Sequence, residues 1–429
     1  MKYLVVGVST LLLVTSSYAK DTDENDAHVV KKVKKSKKKK RKKIKHGLTT
    51  TIDVSSAYDS NIFLTPSSAY VDYSTGTYEG NGLVIPKSSS GMFSDYMLDL
   101  DYNKKYRKGV YFLANYHLKG AHYYDAALNN ANHHIQKLSV GALYKFVNTN
   151  KRHYSVTAKA FIGSDHNTYY DRDHGENKLT VSAIDISNRN QHKYQGVETK
   201  LILENRKWLN QTSFLFEDLD YEKPNDWSEL DHSYYFLKHT VAYRFSKKYR
   251  SEMGFKYSKR DFIFRGSYKY TTKPVFVSTT TDPNANRVYT YFDTFFKEDV
   301  KFSSKLKASF TYTNIQRTDA YAGYNDSQTN EVLAHFYYKK SKKRKIHVKA
   351  LYSHISFPVA MAFDRNPTLG TPSKGSKFYT KKKIQVDYIY KKSKKLEYTS
   401  YVKLMQYDSS DDRYVYDRTI AGISAHYSF

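Results

Sequence analysis

The sequence has no cysteine, and several familiar functional motifs are also absent. Without cysteine, neither disulfides nor thiolate metal sites can hold the fold together. The 16 histidines form no HExxH motif, and no acidic loop has the EF-hand pattern. Glycine is scarce, at 18 residues, and no phosphate-binding glycine loop occurs. We therefore expect no metal and no cofactor.

Long hydrophobic runs are also missing. The longest, Tyr3–Val14, follows the basic Lys2 and precedes the small-x-small sequence Ser17-Tyr18-Ala19. This order is typical of a secretory signal peptide, and the run is too short to span a membrane as a helix. We predict a signal peptide at residues 1–19 and an exported mature chain.

A basic tract follows at residues 20–46, within a chain of net charge +28. Its core, KKVKKSKKKKRKKIK at residues 31–45, is almost entirely Lys and Arg. Blocks of like charge are usually disordered and often act as interaction tails. In an exported chain a nucleic-acid partner is not expected. Peptidoglycan or another acidic periplasmic polymer is the candidate partner of residues 31–45, and the alternative is a solvated tail without a partner.

From Leu48 onward, apolar and polar residues alternate. In the final segment, Thr419–Phe429, one face carries Ala421, Ile423 and Tyr427 and the other carries mostly small or polar residues. A period of two is typical of a β-strand with two different faces. The same pattern recurs in sixteen segments, which we predict as strands at 48–63, 92–103, 110–123, 134–146, 153–163, 191–203, 209–221, 233–245, 251–263, 289–302, 306–318, 330–338, 346–356, 378–390, 396–407 and 415–429.

The connectors between these segments are alternately short and long. The short ones are basic, for example KKSKK at 391–395. The long ones include 64–91, 164–190 and 264–288, which are the candidates to fold inward and narrow a pore. Even strand number, short periplasmic turns, long outer loops and aromatic residues near strand ends are typical of outer-membrane barrels. We predict an all-β fold: a transmembrane antiparallel up-and-down barrel of about sixteen strands at residues 47–429, preceded by a disordered basic periplasmic tail.

Strand parity then predicts which charged residues face the lumen. The pore-lining candidates are Lys119, Lys137, Lys159, Lys238, Arg260, Asp95, Asp99 and Asp101. Rings of Lys and Arg favour anions in a pore. The alternative is that these charges pair across strands and serve only one another. The three aspartates lie on one strand and require polar or basic neighbours.

Two short segments resemble known barrel families. The ending HYSF, with Tyr427 and the terminal Phe429, resembles the C-terminal signal that the barrel-assembly machinery reads. The segment AYDSNIF, residues 57–63, resembles the YDxN segment that opens the barrel in porin-like families linked to exopolysaccharide or surface-lipoprotein export. The resemblances imply an outer-membrane barrel in a Gram-negative envelope, in contact with lipids and lipopolysaccharide. A plain turn explains residues 59–61 equally well.

One short segment is compatible with an enzymatic function. In LYSHISF, His354 and Ser356 share the predicted lipid face, which resembles the His-x-Ser pattern of outer-membrane phospholipase A. In that family a His activates the Ser and an Asn orients the His. Here Ser356 is followed by Phe357-Pro358, and Asn366 falls in a connector. We therefore predict no enzyme, and favour passage of small solutes, anions among them, or of a secreted polymer. A non-conducting structural barrel whose tail binds the cell wall is the second hypothesis.

Overall fold

The computed structural model describes most of the predicted barrel. The described residues are 47–71, 83–149, 152–179, 185–222, 230–268, 281–319, 325–363 and 372–429. The predicted signal peptide and basic tail, residues 1–46, lie outside them. Helical segments include two short 3-10 turns, Ala126–Ala131 and Asp412–Tyr414. In the part of the chain that the structure describes, no helix has the length and apolar character needed to cross a membrane.

The described residues form eighteen strands, and sixteen of these make one closed sheet. In chain order they are β1 (Gly47–Asp59), β2 (Tyr70–Val71), β3 (Leu83–Val84), β4 (Gly91–Arg107), β5 (Val110–Tyr123), β6 (His133–Asn148), β7 (Arg152–Asn167), β8 (His192–Asn205), β9 (Trp208–Tyr221), β10 (His232–Arg244), β11 (Tyr249–Tyr268), β12 (Thr281–Val300), β13 (Leu306–Asp319), β14 (Ser327–Tyr338), β15 (Arg344–Phe363), β16 (Pro372–Lys391), β17 (Leu396–Ser409) and β18 (Tyr416–Ser428). The short β2 and β3 pair only with each other.

Each barrel strand pairs antiparallel with its neighbours in the chain, and β1 closes the ring against β18. Thr51 lies opposite Ser428. The backbone N–H of Phe429 donates to the Thr50 carbonyl, and that of Thr50 donates to the Phe429 carbonyl, both at 3.0 Å. Closure pairs the backbone N–H and C=O groups of β1 and β18, which would otherwise lack hydrogen-bond partners at an open sheet edge. The predicted sixteen-stranded up-and-down barrel is confirmed.

The outer surface of the barrel is apolar. Leu138 and Val140 on β6 are each 46% exposed, and Ile423 on β18 is 62% exposed. Large exposed apolar patches are rare on soluble monomers, whereas a lipid-facing barrel surface requires them. Aromatic side chains collect on this surface beside the short turns: Trp208 contacts Tyr243, and Tyr243 contacts Phe245, with ring centroids 4.5 and 4.7 Å apart. This is the arrangement of an interfacial girdle.

Several predicted strand ends differ from the observed ones. β1 ends at Asp59 rather than at residue 63, because Asn61 turns the chain inward there. The hairpins β11–β12 and β15–β16 continue beyond residues 263 and 356, with register shifts after Asp261 and Phe357. The extensions have irregular pairing, so the strict alternation that marks the membrane-crossing part is lost. The connectors predicted at 264–288 and 357–377 are therefore partly strand.

Candidate functional site

All eight predicted lumen residues lie on the same face of the sheet. On β4 this face carries Asp95, Asp99 and Asp101, and on β5 it carries Lys119. The ammonium of Lys159 on β7 bonds the Asn115 side chain of β5 at 2.9 Å, passing over β6. A side chain reaches the next strand but one most directly across the concave side of a barrel. This face is therefore the inside, and Lys137, Lys238 and Arg260 share it through the strand register. That these residues line a conducting pore stays a prediction.

The aspartates of β4 have the polar neighbours that the sequence required. His117 Nδ1 lies 2.5 Å from an Asp99 carboxylate oxygen, and the Asn115 amide donates to Asp101. Lys159 also approaches Glu198 on β8 at 3.3 Å. Charges on this wall are therefore paired across strands. This agrees with the alternative interpretation, in which the charges serve one another and not an anion pathway.

Three of the predicted lumen cations lie over aromatic rings. The Lys137 ammonium is 3.7 Å from the centroid of Phe161, and that of Lys238 is 5.3 Å from Phe295. The Arg260 guanidinium lies 6.0 Å from Phe262. Cation–π attraction holds such groups against the wall without neutralising their charge.

Loop segments enter the barrel at the end opposite the short turns, here called the long-loop end. Phe63 and Tyr170, from the connectors after β1 and β7, meet edge to face with centroids 4.9 Å apart. They join a buried cluster that contains inward-facing strand residues, namely Ala57, Phe93, Tyr123 and Ile420. Contact with inward-facing side chains places both loop segments inside the barrel mouth. Of the connectors that are candidates to fold inward, 64–91 is buried at Thr65 and Tyr70 but exposed at Leu83 and Ile85, and 164–190 is buried at Tyr169 and Ile186. Residues 269–280 of the third candidate, 264–288, lie outside the described residues.

A buried ion pair anchors this closure. Asp59, at the end of β1, is fully buried and receives a forked hydrogen bond from Arg418 of β18, with Nε 2.9 Å from Oδ1. The Tyr123 hydroxyl also donates to Asp59, at 3.4 Å. A buried charge requires such pairing. Nothing in the sequence pattern indicates that Arg418 pairs with Asp59.

The AYDSNIF segment has a structural role. The Asp59 carboxylate accepts the backbone N–H of Asn61 at 3.0 Å. The Asn61 side chain donates to the Thr65 carbonyl and accepts the Thr65 N–H, at 2.9 and 2.8 Å. Side-chain amides that bond the nearby backbone build tight turns. This turn directs Phe63 into the lumen, so the plain-turn interpretation is sufficient.

The connector after β7 reaches far around the ring. Arg172 donates to the Leu64 carbonyl, and its guanidinium lies 5.1 Å from the ring of Tyr414 and 5.5 Å from that of Tyr416, at the start of β18. The Tyr70 hydroxyl donates to Asp173 at 2.7 Å. Burial raises the pKa of the Asp173 carboxyl, although the Tyr70 hydrogen bond opposes this. The two loop segments thus fasten to each other and to a distant strand.

An inner belt of aromatic rings surrounds the same end of the lumen. Its members face inward from two runs of neighbouring strands, β15–β18 and β8–β12, and include Tyr416, Tyr407, Tyr379, Phe357, Tyr289, Phe262, His232, Tyr221 and His192. Arg317 bridges Phe357 and Tyr289, with its guanidinium 5.5 and 5.2 Å from their centroids. Tyr289 and Tyr379 are each only 1% exposed. These two rings are therefore covered rather than presented to solvent.

A group of histidines lies at the same level of the barrel. His134 of β6 stacks on His166 of β7, with centroids 4.4 Å apart, beside a cavity of about 320 Å³ that His122 and His133 also line. Within the described ranges no group of three or more His, Asp or Glu is placed to hold a metal ion. This cavity receives no ligand assignment.

His354 and Ser356 lie on the outward face of β15. His354 Nδ1 is 2.9 Å from the Thr380 hydroxyl, and the Ser356 hydroxyl points to the Gln328 carbonyl at 3.5 Å. Their observed partners are therefore on neighbouring strands, β16 and β14. Asn366, the candidate orienting residue, lies outside the described residues.

The C-terminal residues of the predicted assembly signal face outward. Tyr427 is 38% exposed and contacts Phe429, with ring centroids 5.3 Å apart. They continue the aromatic girdle at the end of the strand that closes the barrel. This geometry is compatible with the predicted signal, which stays a prediction.

The sixteen strands form a closed antiparallel ring with an apolar exterior and aromatic rings beside the short turns. The chain has the architecture of an outer-membrane β-barrel. No protein-family model matches it, and no curated protein matches it.

Solved structures of outer-membrane barrels resemble it in shape. OccAB1 of Acinetobacter baumannii matches at 9% identity and a TM-score of 0.46, covering 92% of this chain and 99% of that one. A loop-deletion mutant of OmpT of Vibrio cholerae matches at 10% identity and 0.45, covering 89% and 99%. A bacterial polysaccharide outer membrane secretin matches at 9% identity and 0.43, covering 90% and 99%. Because these TM-scores are low, the architecture is established by the strand pairing of this chain and not by the resemblance.

Proposed function

We propose that the protein is a porin-like outer-membrane channel for small solutes, with a preference for anions. The short turns and the basic tail would face the periplasm, and the long-loop end would face outward. The observation that carries the proposal is the partly exposed charge inside the barrel. The side chains of Lys349, Asp99 and Glu198 are 33%, 31% and 37% exposed although they face inward. Charges in that state require water, so a hydrated lumen below the loops is expected.

The charge of the inner wall supports anion preference. On β15–β17 the inward positions include four lysines, Lys349, Lys381, Lys383 and Lys403, on adjacent strands. The inward acids of this wall are Asp387, which lies 3.8 Å from the Lys349 ammonium, and Glu397, which lies 3.5 Å from Lys345. A wall with this excess of cations raises the local anion concentration. The transport mechanism would be diffusion through a charged, loop-constricted lumen, and the proposal assigns no catalytic residue.

Strand β8 offers a matched pair for the test. Lys200 faces the lumen and Lys193 faces outward on the same strand, and both are exposed. We expect the refolded protein to show single-channel steps in a planar bilayer, with a reversal potential in a salt gradient that indicates anions. Lys200→Glu should shift that potential towards cations, and Lys193→Glu should leave it unchanged. Equal shifts in both variants would contradict a lumenal pathway.

The second candidate is a non-conducting barrel that organises the envelope through its basic tail. The covered inner belt and the interlocked loop segments favour it, because both narrow the long-loop end. Absence of conductance from protein shown to be folded would support this candidate. Deletion of residues 20–46 should then abolish binding to isolated peptidoglycan, whereas under the channel hypothesis the deletion leaves conductance intact.

A further inference from the structure

Five of the short turns share one sequence pattern and one geometry. In each, the side-chain oxygen of the first residue accepts the backbone N–H of the third and fourth residues at 2.7–3.2 Å. We call them the basic turn ring: residues 205–208, 246–249, 303–306, 341–344 and 393–396. The first residues are Asn205, Ser246, Ser303, Ser341 and Ser393. Such side-chain-to-backbone bonds fix the turn and the direction of its tip.

The tips of these turns are basic and open to solvent. The third residue is a lysine in every turn, namely Lys207, Lys248, Lys305, Lys343 and Lys395, and all are exposed. The second residue is Lys or Arg in four of the five turns, with Ser304 as the exception. None of the twenty positions in the ring is acidic. Repeated like charge opposes folding, so its repetition on a fixed turn indicates an external counter-charge.

The ring lies at the level of the aromatic girdle. The Lys207 ammonium is 5.9 Å from the ring of Tyr243, and Trp208 directly follows it in the chain. Tyr249 follows Lys248 and contacts Phe245, with centroids 5.2 Å apart. Aromatic girdles mark the boundary between hydrocarbon and headgroups, and lysines beside them extend their ammonium groups to the headgroup layer.

The ring also follows the circumference of the barrel. Its turns join β8 to β9, β10 to β11, β12 to β13, β14 to β15 and β16 to β17, which are consecutive neighbours in the sheet. It therefore borders ten of the sixteen barrel strands. Lipid headgroups surround a barrel in the same annular way, whereas a linear acidic polymer would meet one side of it.

We propose that the basic turn ring binds the anionic phosphate headgroups of phospholipids in the leaflet that it borders. The ring would select phosphatidylglycerol-type lipids over zwitterionic ones around this end of the barrel. This goes beyond the proposed channel function, and it holds for either a conducting or a closed barrel.

The test measures lipid selectivity with the full chain reconstituted in vesicles. Electron paramagnetic resonance of spin-labelled phosphatidylglycerol and phosphatidylcholine gives the relative association of each lipid with the barrel. The ring variant is K248Q/K343Q/K395Q. The control variant, K87Q/K193Q/K382Q, removes the same charge from exposed lysines outside the ring. A difference in gel mobility between the unheated and the boiled sample shows that each variant is folded.

We expect the wild type and the control to prefer phosphatidylglycerol. In the ring variant, the association of phosphatidylglycerol relative to phosphatidylcholine should be roughly fivefold lower. An unchanged preference in the ring variant would overturn the proposal. If the ring variant also loses binding to isolated peptidoglycan while its lipid selectivity is unchanged, the proposal is overturned and the ring is assigned to an acidic polymer. Because no arm measures conductance, failure here is distinct from failure of the channel hypothesis.

Discussion

At the residue scale, the Asp59–Arg418 pair is a buried ion pair at the long-loop end. Asp59 is fully buried, and its carboxylate accepts from Arg418, Tyr123 and the Asn61 backbone. Asp59→Ala leaves the Arg418 guanidinium without its counter-charge. We expect a loss of about 3–5 kcal/mol in the free energy of unfolding, measured in urea.

Asp417 supplies the control for this prediction. It precedes Arg418 in the chain, but its side chain is exposed. Asp417→Ala should change the free energy of unfolding by less than about 0.5 kcal/mol. A similar cost for both substitutions would show that Asp59 acts through general charge and not through the buried pair.

A second residue-scale prediction concerns pH. Asp411 lies in the connector between β17 and β18. Burial alone would raise the pKa of its carboxyl, but Arg413, with Nε and a terminal nitrogen 2.9 and 2.7 Å from the carboxylate, holds that pKa below the usual 3.8. The stabilisation is therefore complete above the ordinary pKa and is lost as the pH falls through the lowered one.

Amide protection in residues 412–415 should accordingly be complete at neutral pH and should fall as the pH is lowered below the usual carboxyl pKa of 3.8. Hydrogen exchange measures it, after correction for the intrinsic exchange rate at each pH. Asp411→Asn should remove the dependence on pH in this segment. Protection that falls equally in Asp411→Asn would assign the effect to another group.

At the scale of elements, Gly175 controls how closely the connector after β7 meets Phe63. Its φ is +75°, and a Cβ there would come within 2.1 Å of the Phe63 ring. Gly175→Ala should therefore displace this connector from the barrel mouth. If the protein conducts, single-channel conductance should rise.

Gly47 is a suitable control, because its φ is +103° and no atom lies within 4 Å of an added Cβ. Gly47→Ala introduces backbone strain of about 1–2 kcal/mol without displacing a neighbour. It should leave conductance unchanged. A rise in both variants would point to strain, and not the Phe63 contact, as the cause.

The short turns give a second prediction at this scale. The Ser393 hydroxyl accepts two backbone N–H groups at 3.0 Å, and the Asn205 side chain does the same in its own turn. Ser393→Ala should cost about 1 kcal/mol of unfolding free energy, whereas Ser393→Asn should be tolerated. Equal loss in both variants would mean that the side-chain oxygen does not fix the turn.

At the scale of the whole molecule, Phe429 connects closure of the barrel with its outer girdle. Its backbone exchanges two hydrogen bonds with Thr50, and its ring contacts Tyr427. Deletion of Phe429 removes both features. We expect less folded barrel in the outer membrane, measured as heat-modifiable protein on gels.

Phe302→Ala tests whether loss of any exposed aromatic ring has this effect. Phe302 is 57% exposed beside another short turn. Its replacement should leave the amount of folded barrel near that of the wild type. Equal loss in both proteins would argue against a special role for the terminal residue.

The sequence by itself determined the barrel, its strand number and the inward or outward direction of its charges. Alternation with a period of two is a local property, so Ile423 and Lys159 could be assigned to faces without knowledge of any contact. Only the tertiary structure shows which residues meet at the long-loop end. The pairing of Asp59 with Arg418, and the reach of Arg172 to Tyr416, join residues far apart in the chain. Loops carry no periodic signal, so only the closed ring of strands shows which of their residues meet.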